Sequence, residues 1–437
     1  MIIELNLFEF ISELLFIIGM IFFSKVNSLA GKILIVGILV IWIARKILNR
    51  KYSLYDLLMF MVAGLFVGSN YLLYFGIVIN SIYICTIAKK GLNMKADLEV
   101  IGFAVMLISG VLSSFVNAAD KSSAYQYIIV YFLLLLYMWE NKIVSRNAVI
   151  EENSAVRFFS VSSFMLGIGF FITHTFTDLW SLSRMSIFYN MQEGIGSNTL
   201  AGIMAPFFCG CLLIVIESKD KKSIIFSFLA AVLMAPVLLA IQSRGAYLGI
   251  FVAALWLLLR EKSPRMITFF IGLFLFVLFI RIYNPDIFTR FFGRFSSVVY
   301  RTGSSLNGRE QLYEIAWRMF RAHPIIGNGF WQFYLNGIPG KDPHNFLLAY
   351  LASTGMIGAI GFLVYLVSAY RRLSAAFKNK TGNSKLLCEI AIISFIIFVV
   401  HGCVEPSMST QAPLSIFILI TLLPVNLKKS SNESSLS

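Results

Sequence analysis

Charged side chains are scarce in this sequence. Asp, Glu, Lys and Arg make up 13% of its 437 residues, hydrophobic residues make up 58%, and the mean hydropathy is +0.80. A soluble domain carries about 25% charged residues, so the composition excludes one of this size. The apolar residues fall into about fourteen blocks of roughly 15–25 residues, long enough to cross a hydrocarbon core of ~30 Å. We therefore predict an all-α integral membrane protein with about 12–14 transmembrane helices, because helices satisfy their own backbone in lipid.

Cysteine and histidine are also few, and neither is placed as a metal site requires. The five cysteines lie mostly within apolar blocks and lack the spacing of a disulfide, redox or zinc framework. The four histidines form no close cluster with acidic residues. The sequence contains no Walker loop, no soluble nucleotide-binding domain and no repeat of the solenoid or propeller kind. It predicts neither a metal nor a cofactor.

Basic residues gather in every second loop, which sets the predicted orientation. The positive-inside rule places both termini in the cytoplasm and the longest polar loop outside. The net charge of +14 is explained by this topology and by anionic headgroups, so membrane lipids and not nucleic acid are the expected partners. The predicted segments are N-terminal transmembrane helices at 1–283, a large extracytoplasmic loop at 284–344, C-terminal transmembrane helices at 345–427 and a cytoplasmic tail at 428–437.

The predicted outer segments carry arginines, which the positive-inside rule disfavours there. Residues 285–342 hold seven basic and four acidic side chains, and Arg184 and Arg244 lie in two other outer segments. One interpretation is that these arginines snorkel at the interface and bind headgroups without specificity. Arg244 favours a specific role, because it lies between two spans at the membrane surface, where its planar guanidinium suits the phosphates of a lipid-linked substrate. Gly245 beside it allows a ligand or another backbone to come close.

Residues 307–322 have the periodicity of an amphipathic helix lying along the outer surface. Their apolar face consists of Leu312, Ile315, Ala316, Met319 and Phe320. Asn307, with Glu310 three residues later, resembles a capping pair. Arg309 then lies in the first turn, either as a solvated charge or as a substrate contact.

His344 is the strongest catalytic candidate by residue type. Asp342-Pro343 before it predicts a helix start, with Asp as the N-cap and Pro at the first helical position. The imidazole would then lie in the first turn of a transmembrane helix, where the helix dipole and nearby arginines keep it neutral and able to accept a proton. The alternative is a histidine that satisfies hydrogen bonds at a helix end.

Several motifs at these residues resemble the bacterial O-antigen ligase and O-antigen or capsule polymerase superfamily. His344-Asn345 is followed, after nine residues, by Gly355-Met-Ile-Gly358. The stretch from Gly308-Arg309 to Gly329 looks like the segment that opens the family's large outer loop, and Ser243-Arg244-Gly245-Ala246 resembles its upstream arginine motif. Gly196-Ser-Asn198-Thr-Leu-Ala201 is similar to the Gly/Asn-rich start of an earlier span.

The resemblance implies a metal-independent, inverting glycosyltransferase of the bacterial cytoplasmic membrane, GT-C-like in fold, with an extracytoplasmic site. Such enzymes transfer oligosaccharide from undecaprenyl diphosphate to a glycan acceptor, and other polysaccharide-assembly proteins are further partners. His344 would be the base, and Arg244 and Arg309 would stabilise the leaving diphosphate. The remaining substrate-binding candidates are Arg184, Asn198 and Asn345, and the alternative bases are Glu193, Glu310, Asp342 and Glu405.

Three functions are compatible with these residues. The favoured one is a repeat-unit polymerase that extends a lipid-linked chain. The His-Asn pattern is also typical of ligases that move the finished glycan to lipid A core, with relatives that move it to protein. A flippase or other transporter of lipid-linked oligosaccharide is the third, but transporters place ionisable residues deep within their spans and often contain inverted repeats, and neither is evident here.

Overall fold

The computed structural model of this chain describes residues 71–87, 97–147, 152–173, 197–241, 243–260, 309–333 and 342–426, with isolated positions at 57–58, 61–62, 65, 278 and 281–282. Arg184, Glu193 and Asn307 lie outside the described residues. So does the predicted segment boundary at residue 283.

Every regular element in the described ranges is helical. The helices are α1 Tyr71–Ile87, α2 Leu98–Val116, α3 Lys121–Asn147, α4 Glu152–Thr173, α5 Ser197–Glu217, α6 Lys221–Ile241, α7 Arg244–Arg260, α8 Arg309–Ala322, α9 Phe346–Asn379, α10 Gly382–Gly402 and α11 Gln411–Leu422. Two short 3-10 turns, Pro406–Met408 and Leu423–Asn426, flank α11.

Six of the described helices, α2, α3, α5, α6, α9 and α10, are long and apolar enough to cross a membrane. Helix α11 is apolar but shorter. The prediction of an all-α integral membrane protein is confirmed. The total of 12–14 spans includes segments outside the described residues and stays a prediction.

Helices α2 and α9 pack along each other in opposite directions. At one end, Arg372 near the end of α9 donates to both carboxylate oxygens of Glu99 in the first turn of α2, at 2.8 and 2.9 Å. Arg372 also donates to the carbonyl of Thr421 in α11 at 3.1 Å. Glu99 is buried, and such an anion needs these partners because an unpaired buried charge is costly.

At the other end of this helix pair, α9 is broken at Gly355. This residue has φ +64° and ψ −165°, a conformation that is essentially restricted to glycine. The break interrupts the ladder of backbone hydrogen bonds, so the carbonyls of Ala352 and Ser353 and the amides of Met356 and Ile357 need partners from elsewhere.

The chain that follows α8 supplies those partners. Asn328 and Gly329 donate backbone N–H groups to Ala352 and Ser353 at 3.0 and 2.8 Å. In return, the carbonyl of Pro324 accepts from Met356 at 2.9 Å, and that of Ile325 accepts from Ile357 at 3.2 Å. The segment 324–329 therefore docks on the broken helix by backbone pairing, which fixes where α8 lies.

The amphipathic helix predicted over 307–322 is confirmed as α8, which begins at Arg309 among the described residues. Leu312 and Ala316 are buried against Phe333 and Ala352, with Ile315, Met319 and Leu348 packed around them. This apolar contact, together with the backbone pairing at Gly355, holds Arg309 over the start of α9.

Candidate active site

Segments that the sequence places on the outer side meet at one end of the helical bundle. The turn between α10 and α11 contributes Glu405, which is 4% exposed. Asn198 at the start of α5, Arg309 at the start of α8 and His344 just before α9 all hydrogen-bond to its carboxylate. Residues from three distant parts of the chain thus share one buried anion, which a fourth part supplies.

Both carboxylate oxygens of Glu405 have hydrogen-bond partners. Oε1 accepts from Arg309 Nη2 at 2.6 Å and from Asn198 Nδ2 at 2.7 Å. Oε2 lies 2.9 Å from His344 Nδ1. The side chains of Arg309 and His344 remain 24% and 28% exposed, so the two groups that flank the anion are still open to a ligand or to water.

The charge state of Glu405 determines which ring nitrogen of His344 carries the proton. Burial by itself raises the pKa of Glu405, but the hydrogen bond from His344 and the charges of His344 and Arg309 outweigh it and hold the pKa below its usual 4.5. An ionised carboxylate can only accept hydrogen bonds. His344 Nδ1 is therefore the donor, and Nε2 is the ring nitrogen that faces away from this contact.

The predicted helix start at Asp342-Pro343 is wrong. The N-cap is Asn345, whose Oδ1 accepts from the backbone amide of Leu348 at 3.1 Å, and α9 begins at Phe346. His344 has φ +49°, a left-handed conformation that histidine tolerates better than bulky or β-branched residues do. The chain turns at His344 before the helix starts, so the imidazole lies outside the first helical turn that the sequence predicted.

Asn345 has both ends of its amide engaged within the protein. While Oδ1 caps α9, Nδ2 donates to the backbone carbonyl of Cys403 at 3.1 Å. Asn345 therefore ties the start of α9 to the turn that carries Glu405. Its predicted contact with substrate stays a prediction, since these bonds give it a positioning role of its own.

Asp342, an alternative base in the sequence analysis, lies two residues before His344. Burial raises the pKa of Asp342 to about 6, and the charge of His344 offsets part of that rise. A carboxyl group with a pKa near neutrality can transfer protons effectively. Glu310, another alternative base, is exposed in the first turn of α8.

Arg244 is the first residue of α7 and is exposed. The space beside its neighbour Gly245 is taken by side chains of the α10 segment, because a Cβ built on Gly245 would lie 2.7 Å from Val404 Cγ2. Val404 directly precedes Glu405. The start of α7 thus borders the turn that carries the shared anion.

Among the described residues, no group of three or more His, Cys, Asp or Glu side chains could hold a metal ion. The site is built from one anion, one guanidinium, one imidazole and amides. Such a set can bind an anion, accept a proton and donate hydrogen bonds to hydroxyl groups.

Residues 229–363 match the family model described as O-antigen ligase. This part of the chain is similar to that family. The match covers less than half of the chain, and no curated protein matches it. The superfamily resemblance is confirmed, and the match supports a membrane glycosyltransferase of the O-antigen ligase and polymerase type.

The matched region contains Arg244, Arg309, His344 and Asn345, but Asn198 and Glu405 lie outside it. Sequence reasoning named Glu405 only as an alternative base and missed its position as the common partner. The available signal was an acidic residue in a short loop between two apolar blocks, on the same predicted side as His344. That signal gives the side of the membrane but not the contact.

Proposed function

We propose that this protein is an undecaprenyl diphosphate-dependent glycosyltransferase that extends a lipid-linked glycan, with its site at Glu405, His344 and Arg309. The observation that carries this proposal is the shared carboxylate. Glu405 holds His344 by Nδ1 at 2.9 Å and Arg309 by Nη2 at 2.6 Å, so a proton acceptor and a cation are fixed side by side.

In this proposal His344 Nε2 is the general base. With its proton on Nδ1, the ring can remove the proton from an acceptor hydroxyl through Nε2. The freed oxygen attacks the anomeric carbon of the donor while the bond from that carbon to the diphosphate breaks. The proton ends on His344. The electron pair of the broken bond leaves with the diphosphate, which stays attached to the prenyl carrier. A single direct attack inverts the anomeric centre.

Arg309 supplies positive charge for the leaving diphosphate. A guanidinium has five N–H donors, so the contact with Glu405 does not exhaust it. Its planar fork suits two phosphate oxygens at once. Arg244, at the neighbouring end of α7, and Arg184, outside the described residues, complete the proposed cationic surface. Loss of one stabiliser of developing negative charge costs about 10²–10³ in turnover.

Glu405 is better suited to hold the base than to act as one. Its low pKa makes it a weak proton acceptor, and its oxygens already accept three hydrogen bonds. Asp342 is the stronger rival to His344, because its pKa of about 6 lies closer to the working pH. The two can be separated by their variants.

The decisive experiment gives purified protein only the undecaprenyl diphosphate-linked repeat unit. We expect a ladder of longer lipid-linked chains, abolished by His344→Ala and kept by His323→Ala, a matched control because His323 is exposed at the end of α8. Arg309→Ala should reduce the rate by about 10²–10³. Arg318→Ala removes the same charge from the exposed face of the same helix and should leave the rate within a few-fold. Full activity in His344→Ala would exclude it as the base.

Ligation is the second candidate, and the description of the matched family favours it. The same site would then transfer the finished glycan to lipid A core or to a protein. Product that forms only when such an acceptor is added, and no ladder without it, would replace the polymerase proposal by the ligase. A protein that moves lipid-linked donor across vesicles but forms no glycosidic bond under either condition would be a transporter.

A further inference from the structure

We propose that His401 is a positioning residue for the candidate site: it locks the α10–α11 turn so that Glu405 meets His344 and Arg309. This inference rests on the proposed function for its catalytic consequence, but its structural part can be measured without turnover. His401 is the second-last residue of α10, is fully buried and has no part in the proposed proton transfer.

His401 closes the turn through both its backbone and its ring. Its carbonyl accepts the backbone N–H of Glu405 at 2.8 Å and that of Val404 at 3.0 Å. Its ring Nδ1 hydrogen-bonds with Ser407 Oγ at 2.8 Å, on the far side of Glu405. The carboxylate-bearing residue is therefore held between two contacts to the same histidine.

The imidazole also fits between the two helices that carry predicted substrate residues. A Cβ built on Gly202 of α5 would lie 2.6 Å from His401 Nδ1, and one on Gly245 of α7 would lie 3.1 Å from His401 Cδ2. Side chains at either position would compete with the ring, so both glycines are needed for its close approach.

These glycines place His401 next to the rest of the site. Gly202 is one helical turn after Asn198, which donates to Glu405, and Gly245 follows Arg244 directly. The ring of His401 therefore sets the spacing between the start of α5, the start of α7 and the Glu405 turn. This contact links Arg244 to the cluster through the packing of α7.

A displacement of about 1 Å in a catalytic arrangement can cost roughly 10²-fold in rate. His401→Leu keeps a side chain of similar bulk but removes the bond to Ser407, so we expect thermal stability close to wild type and a 10- to 100-fold lower turnover. His401→Asn keeps a polar atom at the Nδ1 position but leaves a cavity. It should lower thermal stability and yet retain most turnover. If His401 served only the stability of the fold, turnover would fall in each variant in step with its thermal stability.

The exposed thiol of Cys403 provides a readout that needs no substrate. Cys403 lies two residues after His401, and its backbone carbonyl accepts a hydrogen bond from Asn345. Cys211 and Cys388, by contrast, are buried. We expect His401→Leu and Ser407→Ala to change the rate of maleimide labelling at Cys403 several-fold, and His401→Asn to leave it near wild type. Cys403→Ser gives the background, and Ser394→Ala, a buried change within α10, should alter neither labelling nor turnover.

Labelling and turnover that both change in His401→Leu and recover in His401→Asn would support the proposal. Unchanged labelling in His401→Leu, or turnover that follows stability in both variants, would overturn it. If the labelling pattern is as expected but no variant or wild-type protein forms a glycosidic bond, the positioning role stands and the glycosyltransferase proposal fails. The two inferences therefore fail separately.

Discussion

Replacing Glu405 by glutamine tests the central contact of the site with little change in shape. The glutamine oxygen can still accept from Arg309 and Asn198. Its amide nitrogen, however, presents N–H donors where Oε2 accepted from His344 Nδ1. The contact at 2.9 Å then survives only if Nδ1 becomes the acceptor, which moves the ring proton to Nε2. A protonated Nε2 cannot accept the proton of the acceptor hydroxyl.

We expect Glu405→Gln to lower turnover by roughly 10²–10⁴, the range of a general base and of a histidine held in the wrong tautomer. The cost in stability should be only about 1–2 kcal/mol, since Arg309 keeps its hydrogen bond to the glutamine oxygen and loses only the negative charge of its partner. Glu405→Ala removes all three hydrogen bonds and should cost about 3–5 kcal/mol. Donor binding should not weaken, because an anion next to Arg309 has been removed.

The assay is the initial rate of chain extension, with donor affinity and melting temperature measured on the same preparations. Glu314→Gln removes one negative charge from the exposed face of α8 and serves as the matched control, with a rate near wild type. A Glu405→Gln protein that works within threefold of wild type would show that Glu405 does not hold the tautomer of His344. The proposed role of the shared carboxylate would then be refuted.

Three further predictions concern Gly355, Asp342 and the orientation of the chain in the membrane. Gly355→Ala should destabilise the protein by at least ~3 kcal/mol in thermal denaturation, because alanine disfavours this backbone conformation and its Cβ would overlap the carbonyl of Ile325. The control Gly382→Ala, at φ +57° with open space around it, should cost only ~1–2 kcal/mol. Because the pKa of Asp342 is raised from 3.8 to about 6, its neutral form contributes stability that is complete below pH ~4 and is lost as pH rises through 6. Asp342→Asn should therefore raise the free energy of unfolding at neutral pH by about 3 kcal/mol at most, seen as a higher melting temperature than wild type, and turnover that survives this substitution would exclude Asp342 as the base. A cysteine at Ser305 should react with an impermeant thiol reagent outside intact cells while one at Asn379 should not, and the reverse pattern would contradict the predicted orientation.

The membrane class of this protein follows from sequence alone, for a simple physical reason. Lipid offers no hydrogen bonds to the backbone, so long apolar runs can only be helices, and their lengths can be counted. The amphipathic helix α8 is also predictable from local sequence, because Leu312, Ile315, Ala316 and Met319 recur with a 3.6-residue period. The position of Gly355 in a motif was visible too, but its left-handed break and the backbone segment that fills it were not.

The site itself was decided by tertiary structure. Asn198, Arg309, His344 and Glu405 are separated by up to 207 residues, and no periodicity reports that they share one carboxylate. The helix start at Asp342-Pro343 was predicted from local preference, yet the chain instead uses Asn345 as its cap, because Asn345 can also hold the carbonyl of Cys403. Local rules describe a helix end in isolation, whereas here the packing of α9 against the Glu405 turn determines which of two good caps is used.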